Sequence, residues 1–486
     1  MKTLPEVANV ISKYLKLSGY NVAYLDYSMF IQEFLGWYRG VNKWHNYNVF
    51  NGDNYIQCQR ASLNMAKTVC EDMASLLLNE KCKIHLTDEK AQEYIEKILA
   101  ENNFKECSNQ SIELMEALGT GAWVNGWVEE NGKLKQTIDY IHGDMVFPLK
   151  WDNGIITECA FAKIGGDNKN TKYTIIIHTK ENGKYVIKTV EVDQKGSVVM
   201  PYSMAKGLNA KQEEAVKTIK TESERPLFHI IKTNIVNNYD KTNPLGMSVF
   251  GNAIDVLKSI DVIYDSWRNE FVLGKKRIFV KSNLKKVQID TGNEITNQID
   301  ANDVMFYQLD WAGENEDKPP IYEANMSIRA MEHIESLDKQ LAVLSRKVGL
   351  GDDFYSFDSG KIGRTATEII SINSALFRNV KKQEIILERA IKELVRAILF
   401  IGNKFGNNFD TEQEITIDFD DSIIEDSEKK RTQAMAEFNA GLIDQVEYFA
   451  ITRNMSREQA LEFVGKMKAT DTMKAVDNIM NGFGEF

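Results

Sequence analysis

The sequence predicts an α+β protein, because two kinds of hydrophobic periodicity occupy separate parts of the chain. Apolar residues recur every three to four positions up to about residue 120 and again beyond residue 245, which is typical of amphipathic helices. From Gly121 to Val192 the period changes to two, and Asn-Gly turns separate the runs, which is typical of antiparallel strands. Helices and strands that are segregated along the chain are typical of the α+β class.

Composition indicates an ordinary globular protein of two to four domains, with 486 residues, 43% hydrophobic and 27% charged. The net charge of −11 argues against a protein that grips nucleic acid, because Lys and Arg contacts to phosphate supply most non-specific affinity. It is compatible with a protein along which DNA slides. Five cysteines without a C-x-x-C pair suggest neither a disulfide framework nor a zinc site, and they are typical of a reducing compartment.

The first residues, MKTLPEVANV, lack the apolar segment of a signal peptide, and no run of about 18 apolar residues occurs. We therefore expect no membrane span and a cytosolic site of synthesis and residence. Within the first 120 residues, aromatic side chains cluster between two predicted helices. Packing is favoured over a sugar-binding platform by about four to one for such a cluster. The cluster is Trp37, Tyr38, Trp44 and Tyr47, and the predicted helices are 6–17, 28–38, 54–78 and 88–102.

An antiparallel β-meander is predicted next, because three Asn-Gly pairs lie between period-two runs. These turns are centred on Gly132, Gly154 and Gly183. Residues 194–224 are polar and irregular, which indicates a surface excursion. The predicted strands are 123–129, 133–141, 145–151, 155–164, 172–179 and 184–192.

Two long helices, 248–273 and 327–348, are predicted on either side of a small mixed insertion, and each gives a rod of about 30 Å. The insertion, 274–325, contains short strands at 277–280, 304–310 and 320–324, with an acidic later part. For any single charge in it, a solvated surface is the simplest interpretation. Its first part is basic, with Lys275, Lys276, Arg277, Lys281, Lys285 and Lys286.

A glycine-rich loop, 349–364, precedes the longest predicted helix, 365–402. Thr365 and Glu368 form a capping box, and Gly402 is a natural C-terminal stop. Such a helix is a rod of about 50 Å. The loop carries the large side chains Phe354, Tyr355 and Phe357, which have no periodic face to occupy. The apolar stripe of the helix is Ile369, Ile372, Leu376, Val380, Leu387, Ile391, Leu394, Ile398 and Ile401, with polar Gln383 at its one gap.

The remaining residues predict a strand at 414–419 and helices at 424–439 and 445–453, followed by a helix opened by a Ser456-x-x-Gln459 capping box.

The sequence matches none of the enzyme motifs that we considered. The six histidines are scattered, and the GKI at 360–362 lacks the Ser or Thr and the upstream glycine of a P-loop. Asp420 and Asp421 precede a predicted helix. Adjacent acids at this position more often interact with the positive N-terminal end of the helix than bind a metal, by about five to one. We expect no catalytic residue, cofactor or metal.

The ordered set of elements resembles the portal proteins of tailed bacteriophages, and in particular those of long-tailed phages that infect Gram-positive hosts. The most specific segments are 244–280, beginning NPLGMSVFGNAIDVLKSIDVIYDSW, 363–383, GRTATEIISINSALFRNVKKQ, and 419–443, FDDSIIEDSEKKRTQAMAEFNAGLI. The resemblance implies a portal-like fold. Its parts are a mainly helical wing with the β-meander (1–245) and its long helix (365–410), stem helices (246–274 and 326–348), a small α/β clip (275–325), a tunnel loop (349–364) and a helical crown (411–486).

The resemblance also implies a function without cofactors. Portal proteins form a ring, typically of twelve subunits, at one capsid vertex of the virion, assembled in the host cytoplasm. Double-stranded DNA passes through the channel in packaging and ejection. The large terminase subunit docks on the clip, head-completion (adaptor) proteins later replace it, and the major capsid and scaffolding proteins surround the ring. Lys361 and Arg364 of the tunnel loop would contact phosphates, Phe354, Tyr355 and Phe357 would narrow the bore, and the basic clip residues would contact terminase, adaptor or DNA.

Two other function classes stay open from the residues alone. A metal-dependent nuclease or hydrolase would use the aspartates near 420, and metal-dependent activity would reveal it. A glycan-binding structural module would use the meander and the aromatic residues near Trp44, and it would bind glycans without forming a ring.

Overall fold

Helices and mainly antiparallel sheets lie in separate runs of the chain, so the predicted α+β class is confirmed. The main hydrophobic core extends from the first helix to the last strand, and a small second cluster contains Ile187, Leu227, Ala397 and Ile401. The computed structural model describes residues 4–22, 24–50, 52–79, 82–130, 132–165, 171–199, 216–274, 277–281, 306–309, 321–324, 327–351, 354–356, 366–419, 434–453, 457, 460–461 and 463–465.

The N-terminal region is helical, as predicted, but it contains more than helices. The prediction of one helix over 54–78 is wrong in its first half, where a β-hairpin leads into a loop. Ile56, the first residue of the predicted stripe, lies on this hairpin with 47% of its surface exposed. The elements are α1 (Leu4–Leu17), α2 (Tyr24–Tyr38), β1 (Asn46–Phe50), β2 (Tyr55–Gln59), α3 (Met65–Leu77), β3 (Lys83–Leu86), α4 (Glu89–Glu101) and α5 (Phe104–Leu118), and neither β3 nor α5 was among the predicted segments.

All six predicted strands of the middle region are present, but they belong to two sheets rather than one meander. The chain changes sheet at a 3₁₀ turn, Gly143–Met145. The turns at 153–154 and 182–183 have positive φ at both central residues, as Asn-Gly hairpin turns require. Lys217–Lys220 pairs with the sheet edge, so 194–224 is not all irregular. The strands are β4 (Thr120–Glu130), β5 (Lys133–His142), β6 (Val146–Asp152), β7 (Ile155–Gly165), β8 (Lys172–Glu181), β9 (Lys184–Val192), β10 (Lys217–Lys220) and β11 (Phe228–Lys232), in the orders β11-β4-β5 and β10-β9-β8-β7-β6.

The two predicted helices around the insertion are confirmed as α6 (Ile254–Leu273), which follows a 3₁₀ turn, and α7 (Ala330–Val348). They pack against each other. The three predicted strands of the insertion are also present, and they form one small sheet in which the first strand is central. It pairs in parallel with the second strand and antiparallel with the third. These strands are β12 (Arg277–Lys281), β13 (Phe306–Leu309) and β14 (Ile321–Ala324).

The longest helix is confirmed as α8, Ala366–Lys404, whose 39 residues give a rod of about 58 Å. Its stripe is buried from Leu376 to Ile401, whereas Thr365 and the side chains of Glu368, Ile369 and Ile372 lie outside the described residues. Gln383 at the gap is also buried and accepts a hydrogen bond from the Asn234 N–H at 2.5 Å. The predicted stop at Gly402 is wrong. A Cβ there would lie 2.8 Å from a ring carbon of Tyr94, so this glycine permits close packing.

The end of the chain returns to the N-terminal body. Strand β15 (Ile415–Asp418) pairs antiparallel with β3, with Ile415 opposite Leu86. Residues 434–439 are helical, and α9 spans Gln445–Arg453 as predicted. Asp420, Asp421 and the Ser456–Gln459 capping box lie outside the described residues. Of the helices that the structure describes, none has the length and hydropathy to span a membrane.

Candidate functional site

Helices α6 and α7 leave the protein core along their length. On α6, Ile260 is fully buried, but Phe271 near the C-terminal end is 54% exposed. On α7 the order is reversed, because Met331 near the start is 74% exposed and Leu337 is 2% exposed. The two helices are antiparallel, so their exposed ends lie together, next to the small sheet of β12, β13 and β14. The pair therefore forms an extension whose far end carries apolar side chains that this chain's described residues do not cover.

An ion pair joins the exposed ends of the two helices. The Nε of Arg329 donates a hydrogen bond to the Oε1 of Glu270 at 3.0 Å, and a second guanidinium nitrogen contacts the same oxygen. The Nε2 of His333 lies 3.5 Å from that oxygen. The hydrogen bonds from Arg329 lower the pKa of Glu270, which keeps this carboxylate charged. The contact fixes the register of α7 against α6 where hydrophobic packing has ended.

The buried half of α6 is attached to the segment before α3 by two carboxylates. Asp261, which is 3% exposed, accepts hydrogen bonds from the Leu63 N–H at 2.8 Å and the Ser62 hydroxyl at 3.0 Å. His45 places Nε2 2.9 Å from the same carboxylate. One turn later, Asp265 accepts a hydrogen bond from the Ala61 N–H at 2.9 Å. These contacts compensate the burial of charge and hold the helix in one orientation.

Sequence reasoning missed this attachment. A signal was present, since Asp261 and Asp265 are four residues apart and lie on the same side of the helix as the apolar Leu257. Acids on an apolar stripe indicate buried acceptors, but their donors lie about two hundred residues away in the sequence. Neither carboxylate was therefore predicted to matter.

The segment after α7 is held at its start, and one of its described residues presents an aromatic ring to solvent. Gly349 has φ +83°, and a Cβ there would lie 2.5 Å from the Asn379 side chain of α8, so the chain turns in a tight space. Six residues later the Tyr355 hydroxyl donates a hydrogen bond to Asp72 of α3 at 2.6 Å. Phe354 is 38% exposed and meets the Tyr355 ring edge-on, with centroids 5.0 Å apart.

Burial determines the electrostatics of this contact. It raises the pKa of the Asp72 carboxyl, an effect that the Tyr355 hydrogen bond partly offsets. Burial also raises the pKa of the Tyr355 hydroxyl, so the phenol stays a donor at any physiological pH. Ser356 adds a hydrogen bond to Asp338 of α7 at 3.1 Å. The described start of the loop is thus anchored to both α3 and α7.

The structure describes only some of the predicted site residues. Phe354 and Tyr355 are adjacent but differ in environment, since the first faces solvent and the second packs against the core. Arg277 and Lys281 begin and end β12, so they lie on the small sheet. Phe357, Lys361, Arg364, Lys275, Lys276, Lys285 and Lys286 lie outside the described residues.

The two other function classes rest on acidic and aromatic residues, of which Asp420 and Asp421 lie outside the described residues. Among them, no group of three or more His, Cys, Asp or Glu side chains is placed to hold a metal ion. Trp37 is 2% exposed, and the Arg60 guanidinium covers the Trp44 and Tyr47 rings at 4.2 and 4.5 Å. These rings are engaged in packing, which the sequence analysis favoured over a sugar-binding platform.

Comparison with known proteins gives one family and distant structural likenesses. Residues 30–473 match the family described as "Phage portal protein, SPP1 Gp6-like". No curated protein matches. The chain is similar to a chain in the neck of a native GTA particle computed with C12 symmetry, with a TM-score of 0.41 and 12% identity over 80% of this chain and 89% of that one. It is also similar to a chain in the neck of an empty GTA particle computed with C6 symmetry. That comparison has a TM-score of 0.41 and 13% identity over 79% of this chain and 88% of the other. Because the family match covers most of the sequence, this chain belongs to the SPP1 Gp6-like family of phage portal proteins.

Proposed function

We propose that this portal protein closes into a homo-oligomeric ring, expected to have twelve subunits, at one vertex of the capsid. Portal proteins are structural components of the virion, and the ring would provide the channel for double-stranded DNA in packaging and ejection. Residues 1–245 and 365–410 would form the wing, 246–274 and 326–348 the stem, 275–325 the clip, 349–364 the tunnel loop and 411–486 the crown. Assembly would take place in the host cytoplasm, among major capsid and scaffolding proteins.

The observation that carries this proposal is the helix pair α6 and α7, with its uncovered apolar side chains. Phe271, Val272 and Met331 are 54%, 48% and 74% exposed, which is costly for a monomer in water. Side-by-side copies would cover these side chains, and a heterologous contact of this kind closes into a ring when its rotation permits. Two rods per subunit are enough to build a channel wall.

The loop after α7 supports a role in narrowing the channel. Tyr355 would serve as the anchor, because its hydroxyl is bound to Asp72. Phe354 would supply bulk toward the bore, together with Phe357, while Lys361 and Arg364 would contact passing phosphates. An acidic chain with a net charge of −11 would otherwise keep the duplex from adhering to the wall.

The small sheet of β12, β13 and β14 would be the docking surface for the large terminase subunit and later for head-completion proteins. Its basic set would make these contacts or touch DNA, and Arg277 and Lys281 lie on the central strand of this sheet. The set consists of Lys275, Lys276, Arg277, Lys281, Lys285 and Lys286.

The energy for packaging would come from another protein. The sequence contains no P-loop, so the purified chain is expected to hydrolyse no ATP. Turnover that co-purifies with the chain and disappears on a point substitution in it would refute this part of the proposal.

Native mass spectrometry of the purified chain tests the assembly. The proposal predicts one dominant species whose mass is a fixed integral multiple, near twelve, of the subunit mass. A chain that remains a monomer at every concentration would contradict it.

A further inference from the structure

The β1–β2 hairpin carries apolar side chains that this chain leaves in solvent. Val49, Phe50, Tyr55 and Ile56 are 43%, 56%, 75% and 47% exposed. Within the described residues the two strands pair only with each other. A two-stranded hairpin without a packed face is marginally stable in water, so a surface that covers these side chains would stabilise it.

Both faces of the hairpin end are apolar. Phe50 pairs with Tyr55 across the strands, and Val49 pairs with Ile56. Successive residues of a strand point to opposite faces, so the aromatic pair lies on one face and the aliphatic pair on the other. The two aromatic rings are in contact, with centroids 5.3 Å apart. A partner must therefore enclose the hairpin rather than touch one side of it.

A recess of about 310 Å³ at the base of the hairpin is lined, among the residues that the structure describes, by three arginines and no acidic residue. Arg60 is fixed by the Trp44 and Tyr47 rings and donates a hydrogen bond to the Trp44 carbonyl at 3.2 Å. Arg39 and Arg268 are exposed, and in the part of the chain that the structure describes neither has a carboxylate at ion-pair distance. The neighbouring Asp261 and Asp265 are engaged by the segment before α3. The lining of the recess therefore carries positive charge, part of which acts on the buried Asp144 carboxyl.

We infer that the hairpin end and the arginine recess together form a contact with a second copy of this chain. We call this the hairpin surface, defined by Val49, Phe50, Tyr55, Ile56, Arg39, Arg60 and Arg268. The inference rests on the proposed ring, because a ring needs two different patches that meet between neighbours. Each copy would insert its hairpin into one neighbour and receive a hairpin from the other.

Composition and charge favour a second copy over nucleic acid. Exposed aromatic, sec-butyl and isopropyl side chains gain nothing from phosphate, whereas Phe, Tyr and Arg are enriched in the buried centres of protein interfaces. A copy of this chain also brings a carboxylate to the contact, because Asp53 lies in the turn between the two strands of the inserted hairpin. Arginine forms bidentate contacts with carboxylates, which would orient the inserted hairpin.

Sedimentation velocity of the full chain across a concentration series tests this inference with two variants and a control. The variants are Phe50→Ser/Tyr55→Ser on the hairpin end and Arg39→Glu in the recess. The control is Leu134→Ser/Ile155→Ser, at apolar residues that are 51% and 56% exposed elsewhere. Both variants are expected to raise the concentration for half-assembly on the order of tenfold or more, and the control is expected to assemble as the wild type does.

Circular dichroism and thermal unfolding of each variant establish that the monomer is folded. If Phe50→Ser/Tyr55→Ser does not fold, the single variant Tyr55→Ser replaces it in the assay. Variants that assemble at wild-type concentrations would overturn the inference and leave the ring intact. An equal loss in the control would overturn it too, since the effect would not be specific. A wild type that never assembles would refute the ring proposal and this inference together.

Discussion

Glu116 is a fully buried acid, and it makes the stability of this protein depend on pH. It lies on α5 and is 0% exposed, and neither carboxylate oxygen has a hydrogen-bond partner among the described residues. Its backbone carbonyl accepts hydrogen bonds from Val249 and Ser248 instead. Burial raises the pKa of this carboxyl from 4.5 to about 8. The folded protein therefore holds a proton there at neutral pH.

The sign of the effect follows from linkage. The unfolded chain loses this proton above pH 4.5, whereas the folded chain keeps it up to about pH 8, so the folded state binds more protons in between. The contribution of Glu116 to stability must then fall as pH rises through this window, by about 1.4 kcal/mol per pH unit. At pH 7 the accumulated loss is about 3 kcal/mol. Glu116→Gln keeps the size of the neutral acid and removes the titration, so it should recover most of this loss.

The assay is urea unfolding of wild type and variant at pH 5, 6, 7 and 8. We expect the variant to exceed the wild type in stability by about 1 kcal/mol at pH 5 and by about 3 kcal/mol at pH 7. Glu106→Gln, at an exposed position of the same helix, is the matched control and should leave the curve unchanged. A difference between Glu116→Gln and wild type that does not grow with pH would refute the reasoning, as would a variant less stable at every pH.

Three further predictions concern other buried contacts. Burial lowers the pKa of His178 to about 3, so the folded state stays neutral while the unfolded state binds a proton below pH 6.5. This group alone should lower stability by about 2 kcal/mol between pH 6.5 and 5, opposite in sign to the effect of Glu116, so His178→Leu should gain about that much relative to the wild type over this interval in the same unfolding assay. Asp261→Ala leaves the Leu63 N–H and its neighbours without this acceptor. It should lower the free energy of unfolding by about 3 kcal/mol and speed amide exchange at 61–63. Asp255→Ala, on the exposed face of the same helix, should do neither. Tyr355→Phe removes the hydroxyl bound to Asp72, and it should speed amide exchange at 349–356 with little change in the melting temperature; unchanged exchange would contradict the anchor.

Local patterns predicted most elements because local physics determines them. Asn153-Gly154 and Asn182-Gly183 adopt the positive φ values that hairpin turns require, so the strands on either side were located closely. The repeat from Leu376 to Ile401 fixed α8, since only one face of a helix can meet the core. Long-range pairing left no such signal. Strand β3 pairs with β15, more than three hundred residues later, and each is four residues long.

Errors arose where a local pattern had two interpretations. Gly402 fits a helix stop, but its lack of a side chain serves the contact with Tyr94. Ile56 fits a helical stripe, but it lies on an exposed strand that another molecule could cover. The attachment of α6 through Asp261 and the anchor between Tyr355 and Asp72 join residues that are distant in sequence. One chain without its relatives gives no signal for such pairs.

The central claim is that many copies of this chain surround a bore, and electron microscopy of the negatively stained protein tests it most directly. The proposed function predicts end-on views that are closed rings with a stain-filled centre, and side views with a narrower projection from the helix pair α6 and α7. Single compact particles, or open filaments without a central hole, would contradict it.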